Sequence, residues 1–155
     1  MTADLAHRGP DADGVVHTAS CHLGHRRLQV IDPAGGQQPM WDDSHRYCIT
    51  FNGEIYNFRE LRRELQSRGV CFHSQSDTEV LLLGYRECGA AVVEKLNGQF
   101  AFAIWDEEQA SLFAARDRLG EKPLFWAQGM AGELIVGSEI RAIVKSGLVR
   151  PVLDP

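Results

Sequence analysis

Hydrophobic residues recur at helical spacing in three segments of the chain. Phe58, Leu61 and Leu65 fall on one face of a segment that opens at Asn57, carries Glu60 three positions on and stops at Gly69, while Arg59, Arg63 and Glu64 point elsewhere. Ser76 and Glu79 repeat the capping-box spacing, and Val80, Leu81, Leu82, Leu83 and Tyr85 are apolar on more than one side before Gly89, which predicts a buried helix. A third helix is predicted from Ser138, with Ile140, Ile143 and Val144 at i, i+3 and i+4, closing at Gly147. Strand patterns lie between these segments. Residues 100–105 are apolar at six consecutive positions, as in a strand covered on both faces, and polar residues 106–109 join them to a second run at 111–115, which reads as a hairpin. Shorter strands are predicted at 28–31, 47–51, 124–127 and 134–136. Helices do not alternate regularly with strands, so a doubly wound parallel sheet is disfavoured, and an α+β fold with mainly antiparallel sheets is expected.

Length and composition narrow this further. At 155 residues, 44% hydrophobic and 24% charged, with 15 Gly and 6 Pro, the chain is expected to form a single globular domain over residues 1–155, with no linker or repeat inside it. The longest stretch without Lys, Arg, Asp or Glu, residues 14–25, is too short and too polar to span a bilayer, and no basic or apolar leader follows Met1. No membrane association and a cytoplasmic location are therefore expected. The net charge of −5, with the cluster of Arg59, Arg62, Arg63 and Arg68 interleaved by Glu60 and Glu64, argues against nucleic acid as a partner. Cys21, Cys48, Cys71 and Cys88 have no CxxC spacing and are expected to be reduced. Cys21, His22 and His25 lack a second ligand pair at zinc-site spacing, so no metal is expected.

Three places carry candidate chemistry. In FNGEIYN, residues 51–57, Asn52 and Gly53 offer a side-chain donor beside a main-chain donor, the parts of an oxyanion hole. By local pattern alone a turn is the stronger reading, because Asn-Gly is also a strong hairpin signal. Arg26 and Arg27 enter a predicted strand, where an Arg either anchors a carboxylate bidentately or serves a structural ion pair. Ser76 suffices to cap its helix, which leaves the carboxylate of Asp77 available for another task.

The motifs HRGPDADG, LGHRRLQVID, GGQQPM, FNGEIYNFRELRRELQSRG, SQSDTEVLL, LNGQFAFAIWD, ARDRLGEKPLF and GSEIRAI follow one another in this order. From residue 6 to about residue 145 the chain thus resembles the glutaminase domain of glutamine-dependent asparagine synthetases. The resemblance implies a class II glutamine amidotransferase with the N-terminal-nucleophile fold, an αββα sandwich of two mainly antiparallel sheets. In that family an N-terminal cysteine attacks the glutamine amide with its own α-amino group as base, giving a glutamyl thioester and ammonia. The ammonia passes to a synthetase domain that adenylates aspartate. The partners implied are glutamine and a synthetase domain or subunit, and a homodimer is compatible. No cofactor is implied for this domain, since ATP and Mg serve only the synthetase. By the same resemblance Arg27 grips the glutamine α-carboxylate, Glu54 and Asp77 accept from its α-ammonium, Asn52 and Gly53 form the oxyanion hole, and residues 7–11 (HRGPD) shape the pocket wall.

The family's chain begins with Cys, usually as Met-Cys-Gly, on a first strand upstream of HRGPD, and it continues into a synthetase domain with an SGG motif. Neither segment is found in these residues, so the expectation is a fold without its first strand and a chain that is inactive alone. A noncatalytic glutamine-recognising or scaffold module acting with a separate synthetase is the alternative. Thr2 lies too close to His7 to replace the nucleophile, and Cys48, which shares a strand face with Thr50 and Asn52, lacks a free amine and reads as a structural thiol.

Overall fold

The computed structural model describes residues 1–28, 32 and 35–152. A 3₁₀ turn at Thr2–Leu5 leads into the antiparallel hairpin of β1 (Ala12–His17) and β2 (His22–Arg27), in which Ala12 pairs with Arg27 and His17 with His22. Next come β3 (Met40–Trp41), β4 (Tyr47–Ile55), α1 (Phe58–Ser67), α2 (Asp77–Cys88) and a short α3 (Val92–Lys95). β5 (Gly98–Asp106) and β6 (Ser111–Arg116) complete an antiparallel sheet of order β3-β4-β5-β6. β7 (Phe125–Gln128) and β8 (Leu134–Gly137) form a separate antiparallel pair, and α4 (Ile140–Lys145) follows. The fold is α+β with antiparallel sheets, as the strand and helix order implied.

Alternation along β4 sets its two faces. Ile49, Phe51 and Ile55 point to the side covered by Leu81 and Leu82 of α2, where Phe100, Phe102 and Ile104 of β5 join them in the main core. Fully burying each such side chain contributes about 1.5–3 kcal/mol, so this one face holds much of the fold's stability. The opposite face carries Cys48, which meets Leu23 of β2 and Trp105 of β5 in a second cluster. The β1–β2 hairpin therefore lies on one side of the central sheet and α1 and α2 on the other. α4 packs on β7, β8 and the N-terminal 3₁₀ turn, and that turn packs on β2.

The predicted helices recur with small differences. Asn57 occupies the N-cap position of α1 but does not cap it; its Oδ1 accepts from Asn97 N and its Nδ2 donates to Lys95 O, each at 2.9 Å. Ser76 does cap α2, accepting from Glu79 N at 3.2 Å, and α2 is buried from Asp77 through Gly84. α4 begins after Glu139 rather than Ser138 and buries Ala142 and Ile143, leaving Ile140 exposed because the short helix lies flat on β8 and the 3₁₀ turn. The predicted strand at 47–51 runs on to Ile55, and the strand predicted at 28–31 falls largely on residues outside those described; β2 ends just before it. β1, β3 and α3 had no clear pattern in the sequence.

Candidate active site

Asn52 and Gly53 lie inside β4, not in a turn. They pair with Ala101 and Phe100 of β5, so nine residues of ladder from Tyr47 to Ile55 override the local Asn-Gly signal. A Cβ at Gly53 would overlap the Gln99 carbonyl oxygen and lie 2.7 Å from Phe100 Cα, and its φ of 151° is one that side chains avoid. Only glycine allows this close a pairing. Alternation puts Asn52 and Glu54 on the face shared with Cys48 and Thr50, toward the β1–β2 hairpin. Asn52 Nδ2 is buried without a hydrogen-bond partner among the described residues. A buried amide N–H costs about 1–3 kcal/mol when left unmade, and at a site it marks a donor awaiting an acceptor. The other such nitrogen, Arg62 Nη1, belongs to a guanidinium stacked 4.3 Å over the Phe72 ring.

The N–H groups at alternate residues of β4 share one edge. β3 pairs only with Ile49 and Cys48, so beyond it that edge is met by side chains. Phe51 N donates to Gln38 Oε1 at 2.6 Å and Ile55 N donates to Asp77 Oδ2 at 3.0 Å. By the same alternation the Gly53 N–H leaves the strand between those two acceptors.

Arg27 ends β2 and is only 7% exposed. Its Nη2 donates to the Asp32 carbonyl at 2.8 Å, and a Cβ at Gly36 would collide with the same nitrogen, so Gly36 makes the room the guanidinium occupies. Asp32 also reaches toward α2: its Oδ1 accepts from Gly35 N at 2.9 Å and its Oδ2 from Gln75 N at 2.7 Å. These N–H donors, Gln75 first, hold its carboxyl below the usual range. His25, two residues before Arg27, meets Thr50 Oγ1 at 3.2 Å; burial, and then the Arg27 charge, push its imidazole down to about 4. It is neutral near pH 7, which spares Arg27 a second cation. HRGPD packs along the same strand, with Gly9 against the Arg26 backbone and Asp11 N donating to Arg27 O at 3.1 Å.

Asp77, the first residue of α2, is 5% exposed. Burial raises its carboxyl, opposed by the N–H groups of Ile55 and Thr78 and reinforced by the nearby charge of Glu54. Two carboxylates with one of them buried form a site that favours a cation. Glu79 is spent locally, accepting from His73 N at 2.7 Å, Ser74 N at 2.8 Å and Ser74 Oγ at 2.7 Å. The predicted residues thus form one connected group: Arg27 through Asp32 to Gln75, then Asp77, then Ile55 beside Glu54, Gly53 and Asn52. A cleft of about 450 Å³ lined by Phe58, Arg59, Arg62, Arg63 and Gln75 opens elsewhere, on α1. It touches this group only at Gln75, and the chemistry, not the volume, selects the site.

The sequence profile of the glutamine amidotransferase domain matches residues 1–155. The chain belongs to that family. Among similar curated proteins, an asparagine synthetase [glutamine-hydrolyzing] from Bacillus subtilis (strain 168) is 49% identical over 99% of this chain and 25% of its own length. One from Sandersonia aurantiaca is 41% identical over 92% of this chain and 27% of its own length. The amidotransferase domain described here therefore spans about a quarter of the curated relatives it matches. Among solved structures, glutamine phosphoribosylpyrophosphate amidotransferase from B. subtilis superposes with a TM-score of 0.67 at 27% identity, covering 81% of this chain and 29% of that one. The fold is accordingly that of the N-terminal-nucleophile amidotransferases.

The sequence motifs of this amidotransferase domain contained two further residues whose roles were not read from them. Asp32, within LGHRRLQVID, ties Arg27 to the start of α2, and Gln38, within GGQQPM, ties the β4 edge to Thr78 through a Nε2–Oγ1 bond of 3.2 Å. The signal available was a polar residue beside Pro or Gly in each motif; the partners lie 43 and 40 residues away and had no local signature.

Proposed function

We propose that this domain hydrolyses the side-chain amide of glutamine to glutamate and ammonia, and that the ammonia is used for ATP-dependent amidation of aspartate by a synthetase domain or subunit. The observation that carries this reading is the buried, unpartnered Asn52 Nδ2 beside a glycine that no other residue can replace. Arg27 takes the α-carboxylate of glutamine, Asp77 with Glu54 takes the α-ammonium, and Asn52 Nδ2 with Gly53 N–H takes the oxygen that gains charge as the amide carbon becomes tetrahedral. The carbon–nitrogen bond breaks, ammonia leaves, and water supplies the oxygen of the new carboxylate.

Cys48 does not suit the role of nucleophile: burial pushes its thiol up to about 12. Cys21 is raised by burial as well, and Cys88 ends α2, about 16 Å along the axis from Asp77. The attacking group on this reading is the N-terminal cysteine of the family, with its own amine as base; it is not among residues 1–155. ATP and Mg serve aspartate activation and not the step assigned to these residues, and both half-reactions belong in the cytoplasm. Glutamate release by the full-length protein, with and without Arg27→Lys and Asp77→Asn, is the test. Both variants are expected to lose glutamine use and keep ammonia-driven synthesis; variants that use glutamine normally defeat the assignment.

A further inference from the structure

β3 is two residues long and covers β4 only as far as Ile49. The next outward N–H, that of Phe51, is taken by a side chain: Gln38 Oε1 accepts it at 2.6 Å. Because a backbone N–H can only donate, the orientation of the Gln38 amide is fixed, and its Nε2 must face Thr78 Oγ1, 3.2 Å away. Thr78 is buried beside Asp77 in the first turn of α2. One amide therefore joins the strand that carries Asn52 and Gly53 to the helix that carries Asp77. The Gln38 backbone is seated in turn, since its carbonyl lies where a Cβ at Gly14 of β1 would be.

We propose that Gln38 is a positioning residue of the glutaminase site: among the described residues its side chain takes the N–H beyond the end of β3 and fixes β4 where Gly53 presents its N–H. The inference rests on the reading of Asn52 and Gly53 as oxyanion donors. Gln38 touches no reacting atom; it acts through the Phe51 peptide, two residues from Gly53 and on the same edge. A true strand would cover the Gly53 N–H as well. A side chain satisfies Phe51 and stops there, and Asp77 satisfies Ile55 on the far side.

The test uses the full-length protein. Gln38→Met, of equal length but without donor or acceptor, is expected to lower kcat for glutamine about 10-fold or more while KM stays within about 3-fold, the pattern of a contact felt only in the transition state. Thr78→Val removes the α2 arm alone and should leave kcat within about 3-fold. Amide exchange at Phe51 should quicken at least about 10-fold in Gln38→Met while Ile55 keeps its protection. If Gln38→Met does not fold, Gln38→Glu, which retains the acceptor, should keep Phe51 protected and remain active. Normal kcat in Gln38→Met, equal losses in kcat and KM, a Thr78→Val as slow as Gln38→Met, or an inactive Gln38→Glu with Phe51 protected would each overturn the proposal. A wild-type protein that releases no glutamate defeats the glutaminase reading instead, and Phe51 exchange then still decides whether Gln38 holds the edge.

Discussion

The buried carboxylate of Asp77 accepts the backbone N–H of Ile55 at 3.0 Å, joining the start of α2 to the last residue of β4. Burial of the charge outweighs the N–H groups of Ile55, Thr78 and Asp77 itself, and the carboxyl is raised overall. A carboxyl raised in the folded state is most favourable to folding when protonated, below its unfolded value, and that contribution is lost as pH rises through the folded value. In its ionised form Asp77 therefore weakens the fold.

Asp77→Asn removes that charge and keeps an oxygen for Ile55. The expected result is a melting temperature equal to or above that of wild type, with glutamine-dependent turnover reduced roughly 30-fold or more, since losing a desolvated ionic partner costs about 2–5 kcal/mol. Thermal melts beside glutamine- and ammonia-driven assays check both halves. A variant that is both less stable and fully active would reverse the assignment.

Arg27 has its place because Gly36 has no side chain. Gly36→Ala forces the guanidinium aside and crowds the Asp32 carbonyl oxygen, which would lie 3.1 Å from the new Cβ, so KM for glutamine should rise roughly 10-fold. Arg27→Lys, which loses the planar fork, should behave alike. Steady-state kinetics on the two variants decide the matter, and an unaltered KM in both removes Arg27 from the site.

Asn52 and Gly53 are neighbours with opposite expected phenotypes. Gly53→Ala must separate β4 from β5 at Gln99 and Phe100, and a loss of about 3 kcal/mol or more in unfolding free energy is expected. Asn52→Ala deletes an unsatisfied donor, so stability should hold or improve while kcat for glutamine falls about 100- to 1,000-fold. Denaturant titration separates the two; a strongly destabilised Asn52→Ala would mean the amide is structural.

Asp117 makes one acid-sensitive contribution to stability. Its carboxylate accepts from Lys122 N at 3.0 Å, Glu121 N at 2.9 Å and Phe100 N at 3.1 Å, and these bonds, Lys122 first, hold it down to about 2. A lowered carboxyl stabilises fully above the unfolded value of about 3.9 and loses that contribution as pH falls toward 2. Asp117→Asn should therefore melt below wild type at pH 6, and the gap should close by pH 2. Melting curves across that range test it, and a gap independent of pH would contradict it.

What could be read from the chain alone followed the range of the forces involved. Ser76 and Glu79 speak to each other across three residues, and the six apolar residues from Phe100 to Trp105 admit only a doubly covered strand, so α2 and β5 were legible. Asn52-Gly53 was not: its local chemistry is that of a turn, and only pairing with a strand more than forty residues away extends β4 through it. The motif order singled out Arg27, Glu54 and Asp77 as candidates. It could not reveal that Asp32 bonds to Arg27 and Gln75, or Gln38 to Phe51 and Thr78, because the bonds to Gln75 and Thr78 close long loops whose length carries no periodicity.

Asp77 is held from both directions, by Ile55 on β4 and, through the neighbouring Gln75, by the side chain of Asp32, whose carbonyl holds Arg27. On the proposed reading it is the corner of a fixed gauge. One arm, Arg27 to Asp77, measures the carboxylate and ammonium that every α-amino acid carries, and so tells none of them apart. The other arm, Asp77 to Asn52, runs along a strand paired with β5 over its whole length, which cannot stretch, and it measures side-chain length. Asparagine, shorter by one carbon–carbon bond of about 1.5 Å, would satisfy the first arm and fall short on the second, so the domain would reject by reach and not by charge the very compound its ammonia would go to make.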